Sequence, residues 1–442
     1  MFALRQPAIA PAQWLAQHLA HRVAQRVALC LVLCLVLCLA TLVPAPGQAR
    51  IKDIADVPAS HDIIWGDQIT LNPPGGAMGR YPRILKLTQG PDAGDILLTY
   101  QTEQHGGDFM MYRSSDQGRT WGDPMRVNKA TPDWDYASCN IIELSDGRLM
   151  MAMQRRVRGT NLGKDFYMDV KFSSDAGRTW GKPVQAFQGA NWEGRPVEVP
   201  NDLNGDGKRD IYLFFTQRVI DTKTPAKKAS RRNDFGRAVA FVASYDGGET
   251  WGDRNPERFT GTIISRDYRE GPKMEPTDDS GGGMPQPFLL PGNRIGIVVE
   301  VLGKRESPLI IASDPGDYDW AAPQFQGPWT SADYDGIADD RIYPGTTANV
   351  WAPQDIEFSK APYVAALPDG RYVMASQTPQ IVRVWVGDAQ ARNFRPQELP
   401  FGMEQSVFPA IEPISDTQVL VAGGSYKPTD NFIWLRIGTL AD

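Results

Sequence analysis

Almost the same nine residues occur three times in this chain. The copies are SSDQGRTWG, SSDAGRTWG and SYDGGETWG, and they begin at residues 114, 173 and 244. Fainter copies, ASDPGDYDW and VGDAQARNF, begin at residues 312 and 386. Self-similarity at intervals of roughly 60–70 residues is typical of repeated supersecondary units. The chain is therefore expected to consist of several similar units rather than one irregular core.

The shared pattern S-x-D-x-G-x-T-W has a local physical explanation. An Asp in a tight turn accepts backbone N–H bonds, a Gly supplies a positive φ, and Ser or Thr adds a weaker turn bond. The Trp can then pack against the neighbouring strand. None of this chemistry requires a ligand, so the pattern predicts a turn and not a catalytic site.

A second pattern precedes each of these turns and consists of a turn followed by an apolar strand. It occurs six times, as DAGDILLTYQ (92–101), SDGRLMMAMQ (145–154), GDGKRDIYLFFT (205–216), PGNRIGIVVE (291–300), PDGRYVMASQ (368–377) and SDTQVLVAGG (415–424). The 42 Gly and 35 Pro residues favour many short strands over helices. Six antiparallel units predict an all-β fold, a six-bladed β-propeller of four-stranded antiparallel blades.

The first 49 residues differ from the rest. They contain three Arg and no acidic residue, and an apolar run, VALCLVLCLVLCLATLV (27–43), precedes PAPGQA. This order is typical of a signal peptide. We expect residues 1–49 to be a signal peptide cleaved after Ala49 and residues 50–442 to be a single propeller domain. The protein would then be periplasmic or extracellular without stable membrane anchoring; an uncleaved anchor is the alternative.

Composition narrows the possible chemistry. The chain has 46 basic and 52 acidic residues, which argues against nucleic acid as a partner. Cleavage would leave one cysteine, Cys139, and two histidines, His61 and His105. A Cys/His zinc site and a Cys–His nucleophile are therefore disfavoured. Carboxylates, Tyr and Arg remain as the groups that can carry a reaction, and the protein is expected to be a monomer.

Aligning the six units places two sets of polar residues at one end of the strands. The first polar set, near the start of each unit's first strand, comprises Arg83, Asn140, Arg195, Gln286 and Tyr363, with Ala410 in the sixth unit. The second polar set, at the end of each second strand, comprises Gln101, Gln154, Thr216, Glu300 and Gln377, with Gly424 in the sixth unit. Buried polar side chains are costly unless they are paired or used. They form either a hydrogen-bonded plug of the central channel or a ligand-binding rim, and two coincident sets favour the rim.

Two glutamates are the sharpest candidates for chemistry. Glu300 ends the otherwise apolar strand RIGIVVE, and Glu193 lies at the entry of the third unit's first strand, in NWEGRPVEV. They belong to adjacent units, so the ring could bring two carboxylates together. Two carboxylates on either side of a glycosidic bond are what most glycoside hydrolases use. A salt bridge to an arginine of the rim is the alternative interpretation of Glu300.

The S-x-D-x-G-x-T-W pattern resembles the Asp-box of the sialidase superfamily, and the likeness extends over residues 75–440. The layout is closest to the exo-arabinanase branch, which has segments similar to WEG (192–194), GMPQPFLLPGNRIGIVVE (283–300) and APYVAALPDGRYVMASQ (361–377). The resemblance implies an exo-acting glycoside hydrolase that acts on an oligo- or polysaccharide, with Glu193 and Glu300 as its catalytic pair. It implies no cofactor for catalysis.

Two alternatives remain. RYP (80–82), the Glu193 to Arg218 pairing and Tyr363 resemble parts of a true sialidase, although their order around the ring differs from that family. A glycan-binding propeller without activity is the other alternative, because Asp-boxes also occur in non-catalytic proteins. The residues expected to bind substrate are Arg80, Arg83, Gln101, Asn140, Gln154, Arg195, Arg218, Gln286, Tyr363 and Gln377.

A separate segment, DLNGDGKRD (202–210), has the spacing of a calcium loop. Its candidate ligands are Asp202, Asn204, Asp206 and Asp210, with Gly207 at the bend. Hard oxygen ligands at alternate positions suit Ca²⁺. The twelfth position is Leu213, so an EF-hand is excluded. The segment predicts either a structural calcium site or a polar hairpin without metal.

Overall fold

The computed structural model describes residues 59–103, 106–160, 165–189, 191–203, 205–220, 234–252, 262–266, 281–302, 308–313, 350–351, 360–378 and 380–441. The expected signal peptide lies outside these residues, as does most of the faint repeat at 312–320. No helix in the described ranges is long and apolar enough to cross a membrane.

Six four-stranded antiparallel sheets form a ring, which confirms the predicted six-bladed propeller. From the axis outward, the first three blades contain β2 (Arg80–Lys86), β3 (Ile96–Gln101), β4 (Phe109–Ser114) and β5 (Met125–Asn128); β6 (Trp134–Glu143), β7 (Leu149–Val157), β8 (Phe166–Ser173) and β9 (Val184–Gln188); and β10 (Asn191–Glu198), β11 (Ile211–Ile220), β12 (Asp234–Ser244) and β13 (Thr262–Arg266).

The next two blades have the same order, and the sixth is completed by the N-terminal strand. They contain β14 (Gly281–Leu290), β15 (Arg294–Leu302), β16 (Leu309–Ala312) and β17 (Val350–Trp351); β18 (Lys360–Ala366), β19 (Tyr372–Gln377), β20 (Val382–Gly387) and β21 (Arg395–Pro396); and β22 (Val407–Pro413), β23 (Gln418–Gly424), β24 (Ile433–Leu440) and β1 (Ile63–Leu71).

Strand β1 closes the ring. It pairs antiparallel with β24, from Ile63 opposite Leu440 to Leu71 opposite Ile433, as the outermost strand of the sixth blade. The two ends of the propeller are thereby held in one sheet, and the edge of β24 is covered. The repeats did not reveal this closure, because β1 precedes the first of them.

The hydrophobic core lies between neighbouring blades. Leu97 and Met111 of the first blade pack with Leu149 and Met151 of the second in one buried cluster. Strand β3 is buried along its whole length. Each inner strand is covered on both faces by the adjacent blades, which is why the second strands are apolar runs and do not alternate with polar residues.

The three S-x-D-x-G-x-T-W turns have one geometry. In the first, Asp116 Oδ1 accepts the backbone N–H of Thr120 at 2.8 Å, and Asp116 Oδ2 accepts the Thr120 hydroxyl at 2.6 Å. Asp175 and Asp246 make the equivalent bonds to Thr179 and Thr250. The faint fifth copy is similar, since Asp388 accepts the N–H of Arg392 at 2.9 Å.

All these turns lie at the end of the ring opposite the start of the innermost strands. Lys86 pairs with Ile96, and Ile96 pairs with Ser114, where the first of these turns begins. We call this end the turn face. The opposite end, where Arg80 pairs with Gln101, is called the rim face. The predicted separation of the turns from the polar sets is confirmed.

Removing a turn carboxylate is expected to destabilise the fold. Asp116→Ala deletes the acceptor of the Thr120 amide and hydroxyl, and its bonds to Thr120 are the main cause that lowers the pKa of Asp116 to about 2. We expect a loss of about 1–3 kcal/mol in the free energy of unfolding, measured by urea denaturation.

Asp123→Ala is the matched control for this substitution. Asp123 is exposed and follows the same turn without a hydrogen bond among the described residues. Equal losses in the two variants would show that the turn bonds do not stabilise the propeller.

Candidate functional site

Every innermost strand carries a β-bulge near the rim face. In the first blade, two residues, Tyr81 and Pro82, face a single residue of β3 between the pairs Arg80–Gln101 and Arg83–Thr99. The same register shift occurs in the other five blades. One residue of each bulge has a φ between 48° and 56°, and these bulge residues are Tyr81, Ser138, Glu193, Met284, Ala361 and Phe408. Left-handed backbone at non-glycine residues stores strain and is common at functional sites.

The second polar set holds these bulges across the boundaries between blades. Gln101 Oε1 accepts the N–H of Ser138 in the next blade at 2.9 Å. Thr216 Oγ1 accepts the N–H of Met284 at 2.9 Å. The remaining two bonds of this kind are Glu300 Oε2 to the N–H of Ala361 at 3.0 Å and Gln377 Oε1 to the N–H of Phe408 at 2.7 Å.

The other two positions of the second polar set complete the ring differently. The Gln154 side-chain amide donates to the carbonyl of Asn191 in the next blade. Gly424 has no side chain, and a Cβ there would lie 2.7 Å from the carbonyl oxygen of Gly79. The sixth and first blades therefore meet through backbone contact. The structure brings the second polar set together at the rim face, with five side chains bonded to the following blade.

The first polar set forms a ring around the propeller axis. Arg83 Nε donates to Asn140 Oδ1 at 2.9 Å, and Asn140 Nδ2 donates to the carbonyl of Gly194 at 2.6 Å. Gln286 Oε1 accepts the N–H of Val364 at 2.6 Å. These bonds make the first polar set part of a hydrogen-bonded plug, which was the structural interpretation considered from the sequence.

Glu193 and Glu300 lie on adjacent blades at the rim face. Glu193 is half-buried on its bulge and accepts the Thr216 hydroxyl at 3.4 Å. Glu300 is 7% exposed. Burial, followed by the charge of Glu193, raises the pKa of the Tyr81 phenol, and Glu300 contributes in the same direction. Both carboxylates are therefore within electrostatic range of one phenol, which stays neutral.

Aromatic rings flank this phenol. Tyr81 stacks on Phe408 with ring centroids 3.8 Å apart, and the Arg80 guanidinium lies 4.9 Å from the Phe408 centroid. Arg80 also donates to the carbonyl of Tyr426 at 3.0 Å. Tyr81 and Phe408 were not predicted from the sequence as residues of the site. Their signal was positional, since each stands two residues before a member of the first polar set, as Glu193 does before Arg195.

Two predicted site elements are described only in part. Arg218 belongs to β11, but its side chain lies outside the described residues, and so does Asn204 of the candidate calcium loop. Asp202 accepts the N–H groups of Gly205 and Gly207, each at 2.7 Å, and Asp210 accepts that of Leu203 at 3.1 Å. No group of three or more His, Cys, Asp or Glu among the described side chains is placed to hold a metal. Calcium binding by this loop stays a prediction.

Solved structures with a similar fold include glycoside hydrolases. The α-L-arabinofuranosidase of Fusarium graminearum, in complex with arabinobiose, is 14% identical, with a TM-score of 0.58 over 85% of this chain and 98% of that one. A Hadza microbial sialidase is 12% identical, with a TM-score of 0.51 over 82% of this chain and 66% of that one.

A mutant of the NanB sialidase from Streptococcus pneumoniae is 11% identical, with a TM-score of 0.52 over 87% of this chain and 72% of that one. The fold of this chain is that of a sialidase-like β-propeller. At these identities the likeness concerns the fold alone. No family model matches the sequence, and no curated protein does.

The hydrogen bond from Met284 to Thr216 can be tested in this propeller by an isosteric change. Thr216→Val removes the hydroxyl that accepts the Met284 N–H, and Thr216 is 1% exposed. An unpaired buried amide costs about 1–3 kcal/mol, so we expect a lower free energy of unfolding. Hydrogen exchange should show lost protection at the Met284 amide. Thr216→Ser keeps the hydroxyl, and unchanged protection in both variants would contradict the assignment.

Glu412 of β22 predicts a pH dependence of stability. It lines a cavity of about 550 Å³ along the propeller axis, which we call the axial cavity. Burial raises the pKa of Glu412 from 4.5 to about 8, against a smaller opposite effect of Lys86. A carboxyl with a raised pKa is more protonated in the folded state than in the unfolded state. The stability that this adds is full below pH 4.5 and is lost as the pH rises through about 8.

In the Glu412→Gln variant, the free energy of unfolding should therefore decline less over this pH window. Urea denaturation at a series of pH values measures this decline. Glu143→Gln is the control, since Glu143 lines the same cavity but accepts the N–H of Thr88 at 2.7 Å. A decline of the same size in the Glu412→Gln variant would overturn the assignment.

Proposed function

We propose that this propeller is an exo-acting glycoside hydrolase in which Glu193 and Glu300 are the two catalytic carboxyl groups. One observation carries the proposal. The two glutamates stand on adjacent blades at the same face, and both lie within electrostatic range of the Tyr81 phenol. Most glycoside hydrolases use such a pair, one group as acid and the other as nucleophile or base.

The surroundings of the pair support a catalytic role. Glu300 is held by the Ala361 N–H and Glu193 by the Thr216 hydroxyl, so each carboxylate has a defined position. Positioned groups reduce the entropic part of the barrier. The neutral Tyr81 phenol can donate a hydrogen bond to a carboxylate or to a sugar hydroxyl.

The proposed substrate is an arabinan-like or related plant or microbial glycan. The Tyr81–Phe408 stack provides aromatic surface at the rim face, which suits the apolar face of a sugar ring. The complex of the Fusarium graminearum arabinofuranosidase with arabinobiose supports the choice of sugar. The exo mode rests on the sequence resemblance. No cofactor is proposed for catalysis, and export and a monomeric state are part of the proposal.

Conservative substitutions test the proposal. Glu193→Gln and Glu300→Gln each remove an ionisable carboxyl and keep an acceptor oxygen for Thr216 or Ala361. We expect kcat on arabino-oligosaccharides and aryl α-L-arabinofuranosides to fall about a hundredfold to ten-thousandfold, with little change in unfolding temperature.

The matched control is Glu198→Gln. Glu198 is on the same strand as Glu193, but it accepts the N–H and hydroxyl of Ser145 at 2.8 and 2.7 Å near the turn face. Its turnover should equal that of the wild type. Full turnover in the Glu193→Gln and Glu300→Gln variants would refute the carboxyl pair, and glycan binding without any turnover would favour a non-catalytic propeller.

A sialidase is the second candidate function, because two arginines lie over the ring of Tyr363. Arg195 and Arg83 are 5.3 and 5.8 Å from its centroid. Release from a fluorogenic sialoside that Tyr363→Phe abolishes would favour this alternative over the arabinan-like one.

A further inference from the structure

A cavity of about 550 Å³ runs along the propeller axis and is lined by the innermost strands of all six blades. The first polar set forms the end nearer the rim face. The opposite end is at the turn face, where the exposed residues Arg209, Leu289 and Ala366 line it. The described lining residues do not include Glu193, Glu300 or Tyr81, so the cavity does not contain the proposed catalytic pair.

Arg195 is the unusual residue of this cavity. It is 4% exposed, and its buried Nε has no hydrogen-bond partner among the residues that the structure describes. The contact described for its guanidinium is the ring of Tyr363, at 5.3 Å. The neighbouring Arg83 is better satisfied, since Nε donates to Asn140 and Nη1 to the carbonyl of Pro82 at 2.7 Å.

Two buried guanidinium groups close together are unfavourable without an anion. Burial is the main cause that lowers the pKa of Arg195 to about 9, and the charge of Arg83 is the next. The charge of Glu193 and the two tyrosines Tyr81 and Tyr363 act in the opposite direction without restoring the usual pKa. Guanidinium groups stay protonated in proteins, so the free-energy cost of burying these two charges would be reduced by a nearby negative charge.

The other described charged groups of the cavity do not balance these two cations. The Glu143 and Glu198 carboxylates line the cavity toward the turn face, away from Arg195, and accept hydrogen bonds from Thr88 and Ser145 in the neighbouring blades. Burial keeps the pKa of Glu412 at about 8, so it is mostly neutral at pH 7. Lys86 and Arg209 add two cations. At neutral pH the lining therefore has more positive than negative charge.

We propose that the axial cavity binds a small oxyanion at its inner end, against the guanidinium groups of Arg195 and Arg83. A guanidinium presents pairs of parallel N–H groups that match two oxygens of a carboxylate, sulfate or phosphate. The cavity has room for such an ion together with water. A bound oxyanion would hold the first polar set in position from the side of the turn face. This position lies beneath the bulge that carries Glu193.

Binding of sulfate, inorganic phosphate and acetate to the mature protein tests the proposal. Calorimetry should detect binding, and the unfolding temperature should rise more than in chloride at the same ionic strength, because a ligand that binds only the folded state stabilises it. The effect should weaken as the pH rises through about 8, where Glu412 ionises. No oxyanion effect beyond that of chloride in the wild type would overturn the proposal.

Variants locate the site. Arg195→Met keeps an apolar chain over Tyr363 without the charge, and its affinity should fall about tenfold or more. Arg195→Lys keeps the positive charge but lacks the paired N–H donors of a guanidinium, so we expect an intermediate affinity. The Glu412→Gln variant should bind the oxyanion with the same affinity below and above a pH of about 8. Arg119→Met, an exposed turn arginine, should bind as the wild type does.

The same measurements can refute the proposed position of the ion. Undiminished affinity in both Arg195 variants would place the ion outside the cavity and refute the assignment. A pH dependence that persists in Glu412→Gln would refute the part assigned to that residue. These readouts do not depend on turnover, so they stand whether or not the proposed glycosidase activity is found.

Discussion

The hydrogen bond between a second-strand side chain and the bulged N–H of the next blade is the interaction on which the rim depends. A bulge in an innermost strand leaves its amide without a partner in its own sheet, and a buried unpaired amide is costly. Gln101, Thr216, Glu300 and Gln377 each accept one of these amides. The bond therefore stabilises the left-handed bulge and joins two blades at the same time.

The proposed active site is built on these structural positions. Glu193 is a bulge residue, and Glu300 accepts a bulge amide at a position where other blades have Gln or Thr. A carboxylate can make the bond that an amide or hydroxyl makes elsewhere, and it can also donate or accept a proton in a reaction. The hydrogen-bonded plug is thus formed by the first polar set, whereas the proposed ligand-binding rim is formed around Glu193 and Glu300. The first polar set forms hydrogen bonds around the axis, and the proposed catalytic pair, Glu193 and Glu300, lies at the rim face.

Much of the fold was predictable from short-range patterns. The bonds of Asp116 and its two counterparts connect residues four positions apart, so the turn geometry is contained in nine residues. The placement of Arg83 and Gln101 toward the same end of their strands followed from the alternation of strands and turns, whereas their exact register did not. The bulges were not predictable in this way, because Tyr81, Ala361 and Phe408 share no residue type. The closure by β1 was missed for a similar reason, since its partner β24 is more than three hundred residues away in sequence.

The sequence by itself established the number of blades, the face that carries the turns and the two glutamates on adjacent units, because local hydrogen bonds and the period of two in a strand determine each of them. Only the tertiary structure decided which polar side chains are consumed in bonds between blades and that Tyr81 stacks on Phe408. It also decided that Arg195 lines a cavity and that its buried Nε has no acceptor in the described part of the chain. These properties arise from contacts between blades. Such contacts depend on how six sheets close around one axis, which no segment of a single blade encodes.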